Sequence, residues 1–123
     1  QLMVLAMAAS YDPDKDAPFG IRLPVSLDTC EVIQERWDNW LAWDPVMMLE
    51  TDSGQTNLGQ MAGLFFDCGT KDQYNLLYGA RRLKKKLDSL EVPHRYEEFP
   101  DTHSSIDYRL DESLPFLYKA ISK

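Results

Sequence analysis

The sequence predicts an α/β protein in which a short parallel sheet of about three strands is flanked by helices. Three segments have the length of strands: Leu2–Ala8 and Ala62–Asp67, which are mostly apolar, and His94–Phe99, which follows a turn at Val92-Pro93. Helical or irregular stretches separate them. Strands that alternate with helices are typical of parallel sheets, because parallel neighbours need a crossover connection. We therefore expect functional side chains at the carboxyl ends of these strands.

The composition fits one globular domain and disfavours two classes of partner. The chain has 123 residues, of which 44% are hydrophobic and 27% are charged, and its net charge is −7. Nucleic acids and anionic membranes bind basic surfaces, so neither is an expected partner. The two cysteines form no disulfide framework, which fits a reduced, cytoplasmic setting. No His or Cys spacing is typical of a metal site, and we expect none.

The chain opens on a predicted strand. Leu2–Ala8 is a continuous apolar run of the kind that is buried on both faces of a parallel sheet. A chain that begins directly on a core strand is expected to be part of something longer. Residues 10–60 then form a long, cap-like excursion before the next strand.

Helical pieces and irregular segments alternate within this excursion. Its first part is rich in Asp and Pro and is expected to be irregular. Asp28 or Thr29 is a candidate cap for a helix that continues to Leu41. A short helical piece, Val46–Leu49, follows, and Thr51–Gln60 is expected to be a polar loop.

The clearest helical pattern lies between the second and third strands. From Asp72 to about Leu90, apolar residues recur at alternating four- and three-residue steps, which places them on one face of a helix. These residues are Leu76, Ala80, Leu83, Leu87 and Leu90. The Arg and Lys residues of the segment fall on the opposite face, where we expect solvent.

A third strand and a last helix complete the predicted order. Val92-Pro93 marks the turn into the strand His94–Phe99. The last helix is expected to begin near Ser113, because Pro115 is tolerated in the first turn of a helix but not further along it.

Two titratable side chains follow the second and third strands. Asp72 comes after Ala62–Asp67, and His103 comes after His94–Phe99. Asp before His matches the second half of the Ser…Asp…His order of α/β-hydrolases. No Gly-x-Ser-x-Gly elbow occurs in the chain, so the nucleophile of such a site is missing. By position alone, Asp72 also fits a helix cap and His103 a surface histidine.

The residues around these two side chains resemble a known family. The segments are Leu64-Phe-Phe-Asp-Cys-Gly-Thr-Lys-Asp-Gln-Tyr74 and His94-Arg-Tyr-Glu-Glu-Phe-Pro-Asp-Thr-His-Ser-Ser105. They resemble the last third of the α/β-hydrolase family that includes esterase D (S-formylglutathione hydrolase) and the enterochelin-esterase-like proteins. The family's Gly-x-x-Asp-x-Phe acid loop corresponds to Gly69, Asp72 and Tyr74. Its Asp-His-Ser loop corresponds to residues 102–104, with Thr in place of Asp at 102.

The resemblance implies that residues 1–123 form a single, partial α/β-hydrolase domain, the carboxy-terminal portion of the fold. Asp72 and His103 would be two members of a Ser-His-Asp triad that hydrolyses a small-molecule carboxylic ester or thioester without a cofactor. The serine and the oxyanion hole would lie outside the chain, so we expect the chain alone to be inactive. Trp37 and Trp40 would line the substrate pocket, or they simply pack a helix on the sheet.

Two other interpretations stay open. Asp67-Cys-Gly-Thr70 resembles part of the Asp-x-Asp-Gly-Thr nucleophile loop of haloacid-dehalogenase-type phosphatases, although the second Asp of that motif is absent. The second alternative to the hydrolase interpretation is that the chain is a non-catalytic α/β interaction module. If the strand Leu2–Ala8 leaves an exposed edge, it would recruit a second copy or the missing amino-terminal part.

Overall fold

The computed structural model describes residues 2–122, and the protein has a mixed α/β structure with a short parallel sheet. The chain divides into two compact units, Gln1–Met48 and Leu49–Lys123. The α-helices and strands, in chain order, are α1 (Leu2–Tyr11), α2 (Gln34–Leu41), α3 (Pro45–Met48), α4 (Asp52–Gly59), β1 (Phe65–Gly69), α5 (Leu76–Ser89), β2 (Arg95–Phe99) and α6 (Leu110–Ile121), with short 3₁₀ helices at Pro18–Gly20 and Asp107–Arg109.

The predicted strand over Leu2–Ala8 is wrong, because this segment lies within the helix α1. Its residues are mostly Leu, Met and Ala, which are strong helix formers, and short apolar runs do not distinguish strand from helix by pattern. The segment therefore offers no sheet edge to a partner, and residues 10–60 are not an excursion between two strands. Within residues 2–122, no helix combines the length and apolarity needed to cross a membrane.

An ion-paired polar cluster joins the elements of the first unit. Arg36 on α2 donates to the carboxylates of Asp12 (2.7 Å) and Asp14 (2.6 Å), and Asn39 donates to Asp12 at 2.8 Å. The helix α2 begins at Gln34, later than the expected cap at Asp28 or Thr29. Residues 26–31 form a hydrogen-bonded turn instead, in which Ser26 and Glu31 share a backbone bond of 2.8 Å.

The second unit opens with a helix where a polar loop was expected. The Thr51 hydroxyl accepts a hydrogen bond from the Gly54 amide at 3.1 Å, and this bond caps the helix α4. Asp52 lies in the first turn, where a negative charge is favourable. The prediction of a loop over Thr51–Gln60 was wrong because a cap and a first-turn acid are helix signals that do not require apolar periodicity.

The sheet consists of two parallel strands connected through α5. β1 pairs with β2 in the register that places Phe65 opposite Arg95 and Gly69 opposite Phe99. Both strands and the apolar face of α5 occur within a few residues of their predicted positions. The core beneath them is made of buried and partly buried residues of the second unit: Leu49, Leu58, Leu64, Phe66, Leu83, Leu87, Leu90 and Val92.

The last helix, α6, begins earlier than expected. It starts at Leu110, which places Pro115 in its interior, beyond the first turn. Asp111 and Glu112 occupy the first turn and stabilise this earlier start through the helix dipole. The side chain of Phe116 packs against Phe65 of β1, with ring centroids 5.8 Å apart, so tertiary packing holds the helix despite its proline.

We expect the second unit to lose stability in acid through two glutamates of β2. Hydrogen bonds from Arg81 and Tyr96 lower the pKa of Glu98 to about 2, and those from Arg109 and Arg95 lower the pKa of Glu97. A carboxylate whose pKa is lower when folded stabilises the fold above its unfolded pKa. For Glu98, that stabilisation is lost as the pH falls from about 4.5 towards 2. Urea unfolding at a series of pH values measures this loss.

The matched variants are Glu98→Gln and Glu91→Gln. Glu91 is exposed in the turn after α5, so its variant removes one negative charge without touching the β2 pairs. Glu98→Gln should lower the free energy of unfolding near neutral pH and make it decrease less as the pH falls. In Glu91→Gln, the free energy of unfolding should depend on pH as it does in the wild type. Equal acid dependence in both variants would contradict the assignment to Glu98.

Candidate active site

The first loop of the site, the acid loop (residues 70–75), holds Asp72 between β1 and α5. One carboxylate oxygen of Asp72 accepts hydrogen bonds from the amides of Tyr74 (2.8 Å) and Leu76 (3.4 Å), at the start of α5. The residue between them, Asn75, has a left-handed backbone (φ 59°) that turns the chain into the helix. The loop thus uses this oxygen to organise the helix start, and the second oxygen is left for another partner.

The second loop, the histidine loop (residues 100–106), carries His103 beyond the end of β2, and backbone contacts hold it against the acid loop. The amide of Thr70 donates to the Phe99 carbonyl at 2.8 Å, and the amide of Lys71 donates to the Asp101 carbonyl at 2.9 Å. These bonds require a close approach at Gly69. A Cβ atom there would lie 2.3 Å from the Asp101 carbonyl oxygen.

The two loops bring Asp72 and His103 together. His103 Nδ1 lies 2.9 Å from Asp72 Oδ2. The Asp72 side chain is 2% exposed, whereas that of His103 is 47% exposed. Burial alone would raise the pKa of Asp72, but the hydrogen bonds from His103, Tyr74 and Leu76 outweigh it and hold the pKa below its usual value. Asp72 is therefore ionised at neutral pH and accepts a hydrogen bond from Nδ1–H of His103.

This arrangement leaves the other ring nitrogen of His103 for chemistry. With Nδ1 donating to an ionised carboxylate, the neutral imidazole has its lone pair on Nε2. The ring of Tyr74 meets the imidazole edge-on, with centroids 5.1 Å apart and planes at 88°. The imidazole is thus oriented from two sides, by a carboxylate and an aromatic ring, while half of its surface stays open to solvent.

Trp37 and Trp40 lie on α2 of the first unit. Trp40 is buried and meets Tyr11 edge-on at 5.7 Å, and the two tryptophan rings lie 6.3 Å apart. These contacts account for the packing of both rings within the first unit. Trp37 and Trp40 make these ring contacts with residues of the first unit, whereas Asp72 and His103 belong to the second.

Asp67, the candidate nucleophile of the phosphatase interpretation, lies inside β1. Its carboxylate accepts a hydrogen bond from Arg109 Nε at 2.7 Å, and Arg109 also donates to Glu97 at 2.5 Å. An ion-paired strand residue is poorly disposed for nucleophilic attack. In residues 2–122, no group of three or more His, Cys, Asp or Glu side chains is placed to hold a metal ion.

Sequence reasoning missed two residues that shape this site. Gln73 accepts the backbone amide of His103 through its side-chain oxygen at 3.1 Å. Arg109, which follows the histidine loop, lies over the ring of Phe99 at 4.7 Å and ties Asp67 to Glu97. Neither residue has a signal in the sequence, because both contacts depend on the register between distant segments.

A scan against models of protein families gave no match to this chain, and a search of curated proteins likewise gave none.

Proposed function

We propose that this chain supplies the acid and the base of a Ser-His-Asp hydrolase of carboxylic esters or thioesters, as the carboxy-terminal portion of an α/β-hydrolase fold. The hydrogen bond of 2.9 Å between His103 Nδ1 and Asp72 Oδ2 carries the proposal. It joins an aspartate and a histidine that follow neighbouring parallel strands, in the chain order of α/β-hydrolases. The nucleophile and the oxyanion hole come from outside this chain.

In the proposed site, each residue has a distinct role. Asp72 holds the imidazole of His103 in the tautomer with its proton on Nδ1 and stabilises the imidazolium. Nε2 takes the proton from the attacking serine and returns it to the leaving alcohol or thiol. The 47% exposure of His103 leaves room for a serine and a substrate to approach the ring. Tyr74 limits the rotation of the imidazole from its edge.

The tautomer of His103 tests this proposal in the chain itself. Long-range ¹H–¹⁵N correlation spectra of the neutral imidazole should show the proton on Nδ1, because Asp72 is ionised. Asp72→Asn removes the negative charge that favours this tautomer, so the Nδ1–H fraction of His103 should fall. A tautomer of His103 that is the same in both proteins would contradict the proposal.

His94 is the internal control for this experiment. Its Nδ1 faces the Val92 carbonyl at 2.8 Å, so its tautomer should not respond to Asp72→Asn. The isolated chain should also show no saturable hydrolysis of p-nitrophenyl acetate, since it lacks the nucleophile and the oxyanion donors. Saturable turnover that His103→Ala abolishes would show that this chain holds a complete site.

A non-catalytic interaction module is the second candidate, and the outer face of α6 favours it. This helix exposes a cluster of large apolar side chains, which is typical of surfaces that bind a partner. They are Leu110, Leu114, Tyr118 and Ile121. Self-association or pairing with another protein chain would cover them. A module of this kind needs no paired Asp72 and His103, so the tautomer experiment separates the two candidates.

A further inference from the structure

We propose that Gln73 is a positioning residue that holds the main chain of His103 and thereby keeps the imidazole on Asp72. The inference rests on the proposed function, because it assigns a role within the same site. Its basis is the hydrogen bond of 3.1 Å from the His103 amide to Gln73 Oε1, which spans the acid loop and the histidine loop.

The hydrogen bond from the His103 amide to Gln73 follows the backbone hydrogen bonds between the two loops, but its acceptor is a side chain. Beyond the last pair of the sheet, Gly69 and Phe99, two backbone bonds still link the loops: Thr70 to Phe99 at 2.8 Å and Lys71 to Asp101 at 2.9 Å. The chains then diverge, as the acid loop turns into α5. At this point the side-chain oxygen of Gln73, rather than a backbone carbonyl, accepts a hydrogen bond from the His103 amide.

The histidine loop needs such support at its exposed tip. His103, Ser104 and Ser105 are all exposed, and Ser105 has a left-handed backbone with φ 57°. A non-glycine residue in that region is held there only when its surroundings favour it. The Gln73 bond restrains His103 on one side of this turn, so the main chain and the side chain of His103 are each held by a residue of the acid loop.

A consequence follows for the pairing of the imidazole. Asp72 contacts the ring, and Gln73 contacts the backbone from which the ring extends, so the two adjacent residues act on one histidine. Loss of the Gln73 acceptor should let the loop move while Asp72 stays buried and ionised. The ring would then spend less time on the carboxylate, although the carboxylate itself is unchanged.

Two variants of Gln73 separate the acceptor from the bulk of the side chain. Gln73→Met keeps the length of the side chain but has no oxygen, and Gln73→Glu keeps an oxygen that accepts the amide. In Gln73→Met we expect the His103 amide to exchange about five- to tenfold faster, as for the loss of one hydrogen bond. The Nδ1–H fraction of neutral His103 should fall with it, and Gln73→Glu should restore both.

The readouts distinguish this inference from the proposed function. If wild-type His103 lacks the Nδ1–H tautomer, the Asp72–His103 pair itself is overturned, and the proposed function with it. If the wild type has that tautomer and Gln73→Met keeps both it and the slow amide exchange, only the positioning role of Gln73 is overturned. A purely structural role would change the stability to urea and leave the tautomer of the folded protein unchanged.

Discussion

Gly69→Ala is expected to destabilise the second unit by about 2–3 kcal/mol, the upper part of the range for overpacking. The new Cβ would lie 2.3 Å from the Asp101 carbonyl oxygen and 2.6 Å from that of Thr102. Both atoms belong to the backbone, so no side-chain rotation relieves the clash. The histidine loop must move away, which should break the bonds from Thr70 to Phe99 and from Lys71 to Asp101 and separate Asp72 from His103.

Gly79→Ala is the matched control for this substitution. Gly79 lies inside α5, and nothing is within 4 Å of the position its Cβ would take. Alanine is a better helix former than glycine, so this variant should gain about 0.5–1 kcal/mol. The same chemical change thus has opposite signs at the two sites. Equal stability of the two variants would contradict the close approach at Gly69.

The choice of probe matters for both variants. The three tryptophans of the chain lie at positions 37, 40 and 43, so their fluorescence reports on the first unit. Amide exchange in β1 and α5 follows the second unit directly. In Gly69→Ala, the amides of Thr70 and Lys71 should lose protection, and in Gly79→Ala they should keep it.

The elements that the sequence predicted well are those with a strong local pattern. The alternating apolar steps of α5 and the order strand, helix, strand correctly indicated a parallel pair of strands. The predicted strand Leu2–Ala8 is helical, because a short apolar run carries no period and Leu, Met and Ala are strong helix formers. The helix α4 follows a cap at Thr51 but has few apolar residues, so no apolar period indicates it.

The candidate site likewise has one contact that the sequence predicts and one that it does not. The placement of Asp72 and His103 after two strands was sufficient to pair them, since parallel strands end at one edge of a sheet. The two interpretations of Asp72 are compatible, because one of its oxygens organises the start of α5 while the other faces the imidazole. The contact of Gln73 with the His103 amide is not predictable, since it depends on how far each loop extends.

Leu87→Ala is expected to cost the second unit about 3–4 kcal/mol, within the range for a buried leucine. Leu87 lies on the apolar face of α5 and is fully buried, and its cluster contains Leu49 and Val92. Surrounding residues relax only partly around such a cavity, so packing contacts are lost together with the transfer free energy. The helix α5 begins directly after the acid loop, which holds Asp72. If Leu87→Ala weakens the packing of α5, the acid loop should therefore become less ordered as well.

Two further substitutions make the prediction for Leu87 specific. Leu76 is the first residue of α5 and is 50% exposed, so Leu76→Ala should change stability by less than about 1 kcal/mol. Leu87→Met nearly conserves volume and should cost less than about 1.5 kcal/mol. Since small domains are stable by only about 5–15 kcal/mol, the loss in Leu87→Ala is a large part of the total. Urea unfolding monitored by amide exchange in α5 gives the stability of all three variants. A Leu87→Ala protein as stable as Leu76→Ala would contradict the placement of Leu87 in the core.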